Sequence, residues 1–181
     1  MTEFAHQAFG LLCGQPFGRT WSLEGEWLPF CQRCTGLYIG AAVALALQGV
    51  LRIRPGVRLL RVYGLLLLQL VPFGLHIVPD TGILRTLTGM AFSFGLVGFL
   101  WLLPQQHWEL GSLPNASTLR RYTILALLSL FGLILAVTRG GSMTAFALSL
   151  FGLLGLFVLV LLILVNLGLL AASLPSWLRG A

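Results

Sequence analysis

The sequence predicts an all-α, polytopic membrane helix bundle of about five transmembrane helices, preceded by an interfacial segment that holds every cysteine. Three observations lead there. Only 9% of residues are charged and the mean hydropathy is +0.94, whereas a soluble domain carries about a quarter charged residues. Apolar runs close to the ~20 residues that cross hydrocarbon recur along the chain. The basic residues, eleven arginines and no lysine, fall mostly between those runs. That placement suits membrane orientation and lipid phosphate, and no nucleic-acid partner is expected.

In chain order, residues 1–34 form the cysteine-containing segment. Glu3, His6, Arg19, Glu24 and Glu26 interrupt it, so no cleavable signal is expected. Spans are expected over 35–51, 59–78, 85–103, 122–137 and 144–174, with a short tail over 175–181. Turn chemistry separates them at Pro55-Gly56, Pro79 to Gly82, Pro104, Pro114-Asn115 and Gly140-Gly141-Ser142. Gly36 and Gly40 make a GxxxG face in the first span, and Gly95 and Gly98 add small surfaces in the third, all suited to close helix contact. Asn166, alone in the last span, is expected to bond a neighbouring helix. In "WSLEGEWLPF", Trp21 and Trp27 suit the membrane interface, and the two glutamates read as a solvated turn.

Arginine asymmetry sets the orientation. Arg52, Arg54, Arg58, Arg61, Arg120, Arg121 and Arg179 lie on one side of a five-span chain, and Arg19, Arg33, Arg85 and Arg139 on the other. The richer side should face the cytoplasm. The expected protein is therefore a multi-pass plasma-membrane protein with its N-terminus outside and its C-terminus inside. The sequon at Asn115 would then be cytoplasmic.

That topology gathers Cys13, Arg19, Cys31, Arg33 and Cys34 on the outer face with His76, Asp80, Arg85 and Arg139. Cys31 and Cys34 have the spacing of a metal chelate, a redox pair or a structural bridge. A helix starting near Thr35 would place them by its N-terminus, where the dipole and Arg33 favour thiolate. Cys13 tips the balance toward metal, because three thiolates and one further ligand complete a tetrahedral zinc site. His76, Asp80 or His6 can be that fourth ligand. Asp80 or Thr81 can instead cap the third span, and Thr88 reads as a packing residue. Arg19, Arg33 and Arg85 can grip a phosphate through their guanidinium forks, while Arg139 reads as an interfacial anchor.

These residues also carry a resemblance. Cys13, Pro16 and Arg19, followed by Pro29, Cys31, Arg33, Cys34, Thr35, Gly36, Tyr38 and Gly40, resemble a prokaryotic family of small membrane proteins of unassigned activity, domain of unknown function 2085. Asp80, Gly82, Arg85, Thr88 and Gly89 are similar to its second motif. Gly14 stands where the family usually has histidine, Thr81 is inserted between Asp80 and Gly82, and a glutamine expected after the Asp-Gly turn is missing. The resemblance implies the spans and the importance of the cysteines, and brings no reaction with it.

Three functions follow. The first is a zinc or similar metal site at the outer interface, with Asp80 or His76 as base and Arg19, Arg33 and Arg85 on a lipid phosphate. In the second, Cys31 attacks as a thiol–disulfide exchanger and Cys34 or Cys13 resolves. The third is a transporter, lipid-binding or assembly protein in which the cysteines form a structural clip.

Overall fold

A computed structural model describes residues 13, 18–69, 71–72, 81–111 and 113–173. Within them the protein is mostly helical: α1 (Gln32–Leu51), α2 (Val57–Leu68), α3 (Gly82–Leu100), α4 (Leu102–His107), α5 (Ala116–Arg139) and α6 (Ser142–Ser173). Among the described residues, four stretches are long and apolar enough to cross a membrane: Gln32–Leu51, Gly82–His107, Ala116–Arg139 and Ser142–Ser173. The span expected over 59–78 is described as helix over Val57–Leu68, and residues 73–80 lie outside the described residues.

The interfacial segment holds a feature the sequence reading did not contain. Strands β1 (Thr20–Leu23) and β2 (Glu26–Cys31) pair antiparallel. Glu24 and Gly25 make the two-residue turn, both with positive φ, 52° and 87°, as the right-handed twist of a tight hairpin demands. Leu23, Leu28 and Phe30 bury their side chains in the core. The Glu24 carboxylate is more than a solvated turn: its Oε2 accepts from the Ser142 backbone N–H at 3.0 Å, at the start of α6.

α1 and α3 run parallel and almost touch backbone to backbone. A Cβ on Gly36 would strike the Thr86 carbonyl, and one on Gly89 would strike the Arg33 carbonyl. Gly40 lies against Met90 and Ser93 in the same way, so the GxxxG face packs as expected. α2 runs antiparallel to α3, with Tyr63 and Leu67 against Gly98 and Gly95. α6 lies parallel to α1, its Gly152 under Phe30 and its Gly155 on the Tyr38 carbonyl. The starts of α1, α3 and α6 therefore share one end of the bundle with the hairpin. The starts of α2 and α5 share the other, with Arg52, Arg54, Arg58, Arg61, Arg120 and Arg121. Phe131, Phe157 and Leu164 are each 60% exposed or more, an outward apolar face that suits lipid.

Asn166 makes the interhelix bond expected of it. Its Nδ2 donates to the Leu100 carbonyl at 2.7 Å. Leu100 would ordinarily be paired with the N–H of residue 104, but that residue is Pro104, which has none. The helix breaks at Trp101 between α3 and α4, and Asn166 supplies the missing donor. Asn166→Leu is expected to cost about 0.6–1.7 kcal/mol, the range of interhelical hydrogen bonds in membranes. Thermal unfolding in detergent checks it, and an unchanged Tm would refute it.

Candidate metal centre

Three thiols separated in sequence meet where β2 becomes α1. Cys31 ends β2 and is the N-cap residue of α1, with extended backbone (φ −69°, ψ 163°). The helix begins at Gln32, three residues before the expected Thr35, so Cys34 lies inside its first turn. Cys13 is buried and accepts from the Cys31 N–H, with its Sγ 3.4 Å away. The ligand atoms of Cys13, Cys31 and Cys34 all lie within 4.8 Å of one another, and all three are free thiols. A tetrahedral ion about 2.3 Å from each sulfur holds them roughly 3.8 Å apart, so small side-chain rotations make the set fit a thiophilic metal.

The electrostatics favour thiolate at Cys31. Its pKa is pulled down to about 5, chiefly because the Cys34 thiol donates to it, with backbone N–H groups of the first helical turn and Cys13 assisting. Burial opposes this and loses. Because the folded-state value lies below the ordinary thiol value near 8.5, ionised Cys31 adds stability above that pH. The contribution is lost as pH falls toward about 5. In metal-free protein, Cys31 alkylation by iodoacetamide should titrate with a midpoint well below 8.5; an ordinary thiol midpoint would refute this ionisation.

Gln32 organises the surroundings. Its N–H donates to the Arg19 carbonyl at 2.8 Å, and its Oε1 accepts from an Arg85 guanidinium nitrogen at 3.5 Å. The buried Thr86 hydroxyl shares its proton between the Gln32 and Gly82 carbonyls, each at 3.0 Å, and accepts from Trp21 Nε1 at 3.0 Å. The first turns of α1 and α3 are thereby clamped under the hairpin. Arg19, Arg33 and Arg85 come to one end with the cysteines, and the buried Nε of Arg33 has no partner among the described residues. Arg139 ends α5 at this end, one residue before the loop that meets Glu24.

Thr81 caps α3: its Oγ1 accepts from the Leu84 N–H at 3.3 Å. Thr88 packs as expected, bonding its own helix at Leu84 and Arg85, while its carbonyl accepts from Gln69. His76, Asp80 and His6, the candidates for fourth ligand and base, lie outside the described residues.

Two contributors escaped the sequence reading. Gln32 sits inside the CxxC and gave no sign of its role. Tyr38 did give one, since it lies four residues after Cys34 on the same helix face. Its ring packs edge-on against Phe30, at the hairpin end of the helix, with centroids 6.0 Å apart.

None of the curated proteins and none of the solved structures compared with this chain matches it. A family model does: residues 13–99, which hold all three cysteines, the hairpin and α1 to α3, match the family described as Predicted membrane protein (DUF2085).

Proposed function

We propose that this is a multi-pass plasma-membrane protein, N-terminus outside and C-terminus inside, that holds zinc or a similar thiophilic ion at its outer interface. Cys13, Cys31 and Cys34 are the thiolate ligands, and His76 is the fourth. The observation that carries this reading is the convergence of all three sulfurs within 4.8 Å. Such an ion supplies Lewis acidity where one position stays open, and a rigid anchor where four protein ligands close it. Arg19, Arg33 and Arg85 lie near the same helix turn: the Arg19 carbonyl accepts from the Gln32 N–H, and the Arg85 guanidinium donates to the Gln32 side chain. Their guanidinium groups suit the phosphate of a lipid substrate, which Asp80 would serve as base.

Metal content and free thiols measured on one sample purified in detergent without chelator test the centre. The expected result is about one metal ion per chain, with thiols that titrate only after denaturation and chelation. One feature favours a second reading. Cys31 as a thiolate beside two further thiols is also the arrangement of a thiol–disulfide exchanger. No metal, one disulfide and one free thiol would leave exchange or a structural clip, and accumulation of mixed disulfides through Cys31 in Cys34→Ala would select exchange.

A further inference from the structure

Toward the end of the bundle away from the cysteines, α2 and α5 stand apart over α3 and leave a groove of about 470 Å³. Its walls are apolar, with Leu59 and Leu66 from α2, Phe94 from α3, and Leu119, Ala126 and Leu130 from α5. From Arg58 to Leu66 it follows α2 for roughly 12 Å at 1.5 Å per residue. Tyr63 and Tyr122 bridge its floor, hydroxyl to hydroxyl at 3.2 Å, and Gln48 donates to Tyr63 at 3.3 Å.

The two ends of this groove differ in charge. Arg58 lines one end. There α2 and α5 both begin, at Val57 and Ala116, and neither has an acidic residue in its first turn. Two unneutralised helix N-termini add partial positive charge to Arg58. Arg61, Arg120 and Arg121 are exposed beside lining residues of the same two helices. The groove thus joins a strongly cationic mouth to an apolar slot that opens toward the hydrocarbon. A zwitterionic headgroup would bring its ammonium to this mouth, and an apolar protein helix would leave the mouth unmatched.

We propose that the groove holds one acyl chain of an anionic phospholipid whose phosphate rests on Arg58 between the first turns of α2 and α5. The site is independent of the cysteine centre and of which face is outside. Native mass spectrometry of the full chain from detergent, after incubation with phosphatidylglycerol or phosphatidylcholine, tests it. One phosphatidylglycerol per chain should survive activation that strips phosphatidylcholine. Arg58→Gln should lower that retention about fivefold, as expected for one arginine near an anionic surface. Ala126→Trp, which fills the slot and leaves every arginine in place, should abolish it. Equal retention of the two lipids would overturn the proposal, as would retention unchanged in both variants. A dimer lost only in Ala126→Trp would overturn it too, by making a second copy the occupant.

Discussion

Replacing Cys34 by serine is expected to abolish the proposed metal binding. Serine keeps the size of the side chain but not its ionisation, and a thiophilic ion exchanges a thiolate for a neutral hydroxyl. Cys34 cannot be bypassed by local adjustment, because its turn of α1 is pinned from two sides. Gly36 meets the Thr86 carbonyl, and the Arg33 carbonyl meets Gly89. Losing a residue that only hydrogen-bonds to a ligand costs metal affinity about 10–100-fold, so loss of a ligand itself should cost more than about 100-fold. Metal per chain after identical purification is the readout, with Thr35→Val as the control. Thr35 caps nothing in the thiol set and bonds only the Cys31 carbonyl in the described contacts, at 3.1 Å. Full metal content in Cys34→Ser would remove Cys34 from the ligand set. Loss in Thr35→Val alone would shift the explanation from ligation to the seating of the first helical turn.

What the sequence disclosed follows from where each signal is encoded. Apolar runs and punctuating prolines and glycines are local, and the helical membrane bundle is legible from them. The GxxxG at Gly36 and Gly40 showed that α1 packs closely, but its partner surface at Gly89 depends on two distant segments lying parallel. Asn166 was legible as a polar group needing a partner, whereas the partner exists because Pro104 leaves the Leu100 carbonyl unpaired. The hairpin was hidden because Glu24-Gly25 is not one of the Asn-Gly or Asp-Gly pairs that announce such turns. Without the hairpin, the approach of Cys13 to Cys31 across 18 residues could only be guessed from the count of thiols. Gln32 is the clearest case: its backbone and side chain bond Arg19, just ahead of β1, and Arg85 and Thr86 in α3, and no spacing within the CxxC encodes that.

The contact between α1 and α3 ties the bundle to the centre, and Gly89→Leu should break both. The Cβ of any larger residue at 89 would enter the Arg33 carbonyl, which is backbone and cannot rotate away. The reciprocal contact, Gly36 on the Thr86 carbonyl, prevents the helices from sliding to make room. Overpacking a core costs about 1–3 kcal/mol where side chains can adjust. Here only backbone is available, so a loss beyond roughly 3 kcal/mol is expected, and in lipid no hydrophobic effect holds the helices together against it. Separating them also pulls Arg85 and Thr86 from Gln32 and loosens the turn that holds Cys34. Metal retention should therefore fall in a variant that changes no ligand. Gly132→Leu is the matched control: the space around Gly132 in α5 is open, and leucine is the better helix former. Thermal unfolding in detergent, followed alongside cysteine alkylation, separates the two variants. Gly132→Leu should unfold no earlier than the parent, while Gly89→Leu should unfold well below it with its thiols exposed. If Gly89→Leu matches the control in both readouts, the close backbone contact does not position the centre.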